Sequence, residues 1–94
     1  MGGTHRFDKA AMPKSLFSPQ YERFRALLVQ ARKGAGLTQR DLALRLNQPQ
    51  SFVSKYENGE RRLDLIEFLD VAAALKIDAA SFIDALQHPP LDTF

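Results

Sequence analysis

The chain has 94 residues, 45% of them hydrophobic, with no cysteine and a formal net charge of +2. That length allows one domain with one small core, and the lack of cysteine excludes a disulfide framework and a thiolate metal site. The N-terminal stretch has no apolar signal core and no run of about 18 apolar residues is present to span a bilayer, so the expected compartment is the cytoplasm.

Charge is divided unevenly along the chain. Residues 1–62 carry 12 Lys/Arg against 5 Asp/Glu, or +7, whereas residues 63–94 carry Lys76 alone against 6 acids, or −5. Small domains show such asymmetry by chance, but it also suits a molecule with one phosphate-facing surface and another kept away from nucleic acid.

In chain order, residues 1–18 (MGGTHRFDKAAMPKSLFS) combine turn-forming and basic residues with little periodicity, so a flexible arm is expected. His5, Arg6, Lys9 and Lys14 suit contact with DNA, Phe7, Met12, Leu16 and Phe17 suit a partner subunit, and plain disorder requires neither. A first helix is expected over residues 19–35, capped by Ser18 and ending near Gly34 and Gly36. Phe24, Leu27, Leu28, Ala31 and Ala35 recur on one face of it, and Arg23, Arg25 and Lys33 lie on the other. Thr38 and Asp41 form a capping box, with Leu37 and Leu42 at staple positions, so a second helix starts at about Gln39. Its apolar face is Leu42, Ala43 and Leu46; Gln39, Arg40 and Arg45 point to water or a partner. Leu44 is an isolated outward leucine, which is ordinary on a surface.

Asn47 tolerates the left-handed conformation that ends helices, and Pro49 extends Gln48 and pre-sets the first turn of a third helix, residues 50–58. Val53 and Tyr56 face inward, and Asn58 and Gly59 stop the helix. Asp64 and Glu67 make a second capping box, with Leu63 and Phe68 as its staple, opening a fourth helix whose buried stripe is expected to be Leu65, Phe68, Ala72 and Leu75. Asp78 caps a fifth helix stapled by Ile77 and Phe82 and ended by Pro89 and Pro90. The expected architecture is all-α: a compact five-helix bundle, with a DNA-binding-type unit over residues 19–87 and a short tail over residues 88–94.

Residues 37–59 are the part that points to chemistry. Two short helices separated by two or three residues fit a helix-turn-helix, whose second helix can lie in a major groove. The outward face of that second helix bears Gln50, Ser51 and Lys55, with Ser54 and Phe52 as weaker candidates. Gln can make two hydrogen bonds to adenine, Lys can reach guanine O6 and N7, and Ser is permissive. Phe52 lies off the Val53–Tyr56 face, where it can meet a thymine methyl group or pack on a neighbouring helix. Phosphate anchoring is expected from Gln39, Arg40, Asn58, Arg61 and Arg62, with main-chain amides at the start of the helix.

The joint order of Arg32, Gly36-Leu37-Thr38-Gln39, Leu42-Ala43, Gln50-Ser51-x-Val53-Ser54 and Glu57-Asn58-Gly59, then Leu65, Ala72, Leu75, Ile77 and Phe82, resembles the Cro/CI-like phage-repressor family. These are also called xenobiotic-response-element-like (XRE) helix-turn-helix regulators. The resemblance spans residues 32–82, about half the chain. It implies a lambda-repressor-like fold, a structural ion pair between Arg32 and Glu57, Gln50 as the main base reader, and Gln39 where it touches phosphate and braces Gln50. The chain departs from the family pattern at Asn47 (commonly Gly), Pro49 (commonly Ser or Thr, which removes a hydroxyl cap), Leu44 (commonly polar) and Lys76 (commonly Gly).

No catalytic constellation accompanies these features: His5 and His88 lie in the terminal segments, and no His is near Ser51 or Ser54 in sequence. No enzyme activity, metal or cofactor is expected. One such module reaches few base pairs, so a homodimer on palindromic double-stranded DNA is expected, with half-sites about one turn, roughly 34 Å, apart. Interface candidates are Ile83, Leu86, Leu91 and Phe94, plus Ile66 and Leu69; for Ile83 and Leu86 the alternative is closure of the monomer core. The functional expectation is a small transcriptional regulator, a repressor in the first instance. The alternative is an antitoxin or protein-interaction adaptor on the same fold, with a toxin or other protein as partner.

Overall fold

Four of the five helix starts among the described residues are fixed by short polar side chains that accept free amides. The computed structural model describes residues 18–89. The expectations for the arm through His5, Arg6, Phe7, Lys9, Met12, Lys14, Leu16 and Phe17, and for Pro90, Leu91 and Phe94, lie outside those residues. Within them the chain forms α1 (Pro19–Gly34), α2 (Gln39–Leu46), α3 (Gln50–Glu57), α4 (Leu65–Leu75) and α5 (Ala79–Gln87), with no strand among the described residues. Ser18 Oγ accepts the Tyr21 amide at 3.0 Å. Thr38 with Asp41, and Asp64 with Glu67, form reciprocal capping boxes, and Asp78 accepts the amide of Ser81. At the other ends, Asn47 and Lys76 take the left-handed conformation, φ 57° and 60°, which turns the chain sharply enough for each new helix to fold back on the last.

Helices of eight residues, such as α2 and α3, have too few internal hydrogen bonds to stand alone in water. Tertiary burial holds them. Leu28, Leu42, Val53, Tyr56 and Val71 are almost wholly buried, and Ala43, Phe68, Ala72, Leu75 and Phe82 complete the core. α2 packs on α3 and α4, α1 on α3 and α5, and α4 on α5. An aromatic cluster ties α1 to α4 and α5: Phe24 lies 5.7 Å from Phe68 and 5.8 Å from Phe82, edge-on to the latter, and Phe68 and Phe82 are 5.1 Å apart. Offset and edge-on geometries of this kind stabilise beyond simple area burial.

Two expected core positions fall elsewhere. Leu65 is 64% exposed because it is the first residue of α4, and side chains of an α-helix tilt toward its N-terminus, here past the end of the packed surface. The buried stripe is instead Phe68, Val71, Ala72 and Leu75. Ala35 is exposed because α1 ends at Gly34 and Ala35 forms its C-cap. Among the described residues no helix is long and apolar enough to cross a membrane.

Candidate nucleic-acid interface

α2 and α3 are joined by Asn47, Gln48 and Pro49 alone. The Gln48 amide donates to the Ala43 carbonyl at 3.0 Å, closing α2, and Pro49 sets the extended N-cap of α3 without offering it a side-chain acceptor. The Phe52 amide donates to the Pro49 carbonyl at 2.9 Å, and the Gln50 and Ser51 amides keep their donor capacity at the positive end of the helix dipole, where an anion is favoured.

α3 presents two distinct faces. Val53, Tyr56 and Glu57 are buried, whereas Gln50, Ser51, Lys55 and Asn58 are exposed and Ser54 half-exposed. At roughly 100° per residue the polar five fall in one stripe along the helix, opposite the core. Ser54 Oγ donates weakly to the Ser51 carbonyl, 3.3 Å away. Phe52 lies beside the stripe and is half-buried. Its ring meets Tyr56 edge-on at 5.6 Å, and the Arg61 guanidinium sits 5.0 Å from its centroid. It also forms one wall of an open groove with Arg45, Leu46, Gln48, Asp70 and Ala74, and it packs partly against the core.

A buried ion pair fixes the inner side of α3. Arg32 of α1 donates to Glu57 twice, Nε to Oε2 at 2.8 Å and Nη2 to Oε1 at 3.1 Å, and its Nη1 bonds the Leu37 carbonyl at 2.8 Å. The two side chains are only 10% and 5% exposed. The hydrogen bond to Glu57 raises the affinity of the Arg32 guanidinium for its proton. Gln39 Nε2 adds a third bond to Glu57, at 2.9 Å to Oε1. Its amide is thus turned to Glu57 rather than to Gln50. Burial pushes the Tyr56 phenol up, well out of the ordinary tyrosine range, and its hydroxyl has no partner in the core.

With this geometry in hand, comparison with known proteins is informative. The family model described as helix-turn-helix matches residues 28–82. Among solved structures, the chain is similar to an XRE-family-like protein from Pseudomonas syringae pv. tomato str. DC3000, at 45% identity and a TM-score of 0.74, covering 80% of this chain and 92% of that one. The chain belongs to the XRE-family helix-turn-helix proteins. Two point mutants of the restriction-modification controller protein C.Esp1396I share the fold at 23% and 24% identity, with TM-scores of 0.69 and 0.68. Each covers 74% of this chain, and 93% and 89% of its own length are matched. No curated protein matches significantly. As an XRE-family member the chain is a DNA-binding regulator with the lambda-repressor-like all-α fold.

Within this XRE-family domain, the basic residues divide in a way the charge count did not anticipate. Arg23 donates to the Leu86 carbonyl at 2.9 Å, Arg25 to the Glu57 carbonyl, and Arg45 to the Ala74 carbonyl at 3.0 Å. Each carbonyl lies at the C-terminal end of another helix (α5, α3 and α4), where amide donors run out. Arg61 forms a bidentate pair with Glu67, at 3.0 and 2.6 Å, and the Arg62 guanidinium lies 4.1 Å from the centroid of the Tyr21 ring. Much of the +7 half is therefore engaged internally, including Arg23 and Arg25 on the basic side of α1. Lys33, Arg40 and Lys55 are exposed, and their side chains make no hydrogen bond or ion pair to another described residue. The helix-closing role of Arg23, Arg25 and Arg45 has no sequence signal, because the partner is a main-chain carbonyl 29 to 63 positions away.

Proposed function

We propose that this protein is a transcriptional repressor that binds a palindromic operator as a homodimer, with α3 lying in the major groove. The observation that carries the reading is the stripe of Gln50, Ser51, Ser54, Lys55 and Asn58 on a helix whose opposite side is buried and pinned. Exposed amide, hydroxyl and ammonium groups on a rigid mount suit base-edge recognition. A surface needed only for solubility would require no such mount. Gln50 and Lys55 act as the principal readers, with Ser51 and Ser54 as permissive contacts and Phe52 shaping the edge of the stripe. Arg40, Asn58 and the open amides at the start of α3 hold phosphate. Gln39, Arg61 and Arg62 contribute at the flank, Arg61 by exchanging Glu67 for a phosphate oxygen.

The dimer is supported by an apolar face on α4 and α5, where Leu65, Ile66, Leu69 and Ile83 are all substantially exposed. Beside it lies a shallow apolar groove of about 200 Å³ lined by Phe24, Leu63, Phe68, Phe82 and Leu86. A cluster of exposed apolar side chains beside a groove of this kind suits contact with a second copy of the chain.

Selection from random duplex DNA, followed by footprinting and mass measurement of the complex, tests the reading. Two chains on a symmetric site, with half-sites about one helical turn (roughly 34 Å) apart, are expected. Gln50→Ala is expected to lose about 1–3 kcal/mol on the selected site and little on random DNA, whereas Arg40→Ala weakens both and lowers the salt slope by about one. Absence of sequence enrichment would overturn the proposal and favour a protein-interaction role for the α4–α5 face.

A further inference from the structure

Arg25 is a half-buried cation of α1, 20% exposed at its side chain, that touches the end of α3 opposite the readers' N-terminal turn. Its Nη1 donates to the Glu57 carbonyl and its Nη2 to Glu22 Oε1, one turn back on its own helix. Glu57 is the last residue of α3, so its carbonyl is one of those that no helical amide can satisfy. A cation at that position also opposes the negative end of the helix dipole.

We propose that Arg25 is a positioning residue for DNA reading, setting the pose of the C-terminal end of α3 and the path of residues 58–62. The proposal rests on the reading of α3 as the recognition helix. Arg25 and Arg32 are seven residues apart, two helical turns, and so lie on the same side of α1. They take hold of one residue at two points: Arg32 grips the Glu57 carboxylate and Arg25 its main-chain carbonyl. Core packing of Val53 and Tyr56 and the carboxylate bonds already hold α3, and the bond to the carbonyl adds a second point of hold at the last residue of the helix, which limits its fraying and rotation. The chain just beyond is moulded to the same guanidinium. Gly59 has φ +81°, and a Cβ there would lie 3.1 Å from Arg25 Cζ and 3.3 Å from its Nε. Arg25 spends one donor of each terminal nitrogen within the protein, and its Nε is buried without a hydrogen-bond partner; the role assigned to it runs through α3, and the salt slope separates that role from a phosphate contact.

The test compares the intact protein with its Arg25→Met and Arg25→Lys variants. It measures binding to the selected site and to random duplex across a salt series, together with amide exchange at Asn58, Gly59 and Glu60. These amides close α3 by bonding the Ser54, Tyr56 and Lys55 carbonyls. Arg25→Met is expected to weaken selected-site binding about tenfold or more, to leave random-DNA binding and the salt slope unchanged, and to speed exchange at all three amides. Arg25→Lys should restore part of each loss. A salt slope lower by about one would make Arg25 a phosphate contact and overturn the proposal, as would unchanged affinity. If Arg25→Met does not fold, Glu22→Gln, which loosens the guanidinium without removing it, is expected to move the same readouts in the same direction. If the wild-type protein selects no sequence, the reading of α3 fails; amide exchange then judges the clamp alone, and unchanged protection rejects it.

Discussion

Replacing Glu57 by alanine should remove the anchor of α3 and unfold much of the domain's margin of stability. Its carboxylate accepts from Arg32 Nε, Arg32 Nη2 and Gln39 Nε2 within 3.1 Å, with 5% of the side chain exposed. The substitution leaves three donors without an acceptor and the Arg32 guanidinium buried with only the Leu37 carbonyl beside it. Breaking a buried pair from one side costs about 3–5 kcal/mol. For a domain of this size each kcal/mol shifts the midpoint by roughly 4–8 °C, so Tm should fall by roughly 12 °C or more. The pair's net worth is another matter, because desolvating both ions offsets much of their attraction. The double variant Arg32→Met/Glu57→Leu should therefore recover a large part of the lost stability, limited by the Leu37 carbonyl and Gln39 amide it leaves unpaired. It should not recover selected-site DNA binding, since apolar contact does not fix the rotation of α3. Calorimetry and urea titration of the four proteins, with binding measured below each Tm, give the readout. A Glu57→Ala midpoint within roughly 3 °C of the parent would refute the reasoning.

Three further outcomes are expected. Tyr56→Phe removes a hydroxyl that is buried without a partner, so it should leave stability unchanged or raise it by up to about 1 kcal/mol in urea titration; a clear loss would mean the hydroxyl is satisfied in solution. Gly59→Ala and Gly36→Ala impose the same left-handed strain, at φ +81° and +76°, but only the first brings a methyl group against Arg25. Both should destabilise by about 1 kcal/mol or more, with Gly59→Ala the worse of the two by urea midpoint. The last concerns acid. The Thr38 main-chain and side-chain bonds lower the Asp41 carboxyl, the Arg61 bond lowers Glu67, and the Ser81 bonds lower Asp78. A carboxyl that gives up its proton more readily when folded favours the folded state above the unfolded range, near pH 4, and loses that contribution as pH falls through its lowered folded value. The urea midpoint should therefore drop below about pH 5. The Asp41→Asn/Glu67→Gln/Asp78→Asn variant should show a shallower drop, and parallel curves would contradict these assignments.

Local chemistry explains why so much of the helix pattern was legible in the chain. Ser18, Thr38, Asp64 and Asp78 are caps whose partners lie three residues away. Asn47 and Lys76 stop helices through their own backbone angles. Interactions of that range are written in consecutive residues. The buried stripes were legible for the same reason, except at ends: Leu65 and Ala35 have the right spacing but sit where a helix outruns its neighbour. The exposed polar stripe on α3 was visible because it is the complement of Val53 and Tyr56 on the same helix.

Side-chain commitments over long range were decided only by the fold. Sequence shows that the first 62 residues are basic; it does not show that Arg23, Arg25 and Arg45 close the ends of three other helices, or that Arg61 is held by Glu67. Carbonyls carry no residue type, so nothing at Leu86, Glu57 or Ala74 marks them as acceptors. Phe52 likewise had two equal destinations in the sequence, and only the fold shows its ring half-buried against Tyr56 with the Arg61 guanidinium over it. By itself the sequence determined five helices, four of them capped by a side chain, and a polar face suited to a groove, because each depends on neighbours a few residues apart. Only tertiary packing decided which cations remain open to solvent and how α3 is held, because those depend on which helix end each arginine can reach.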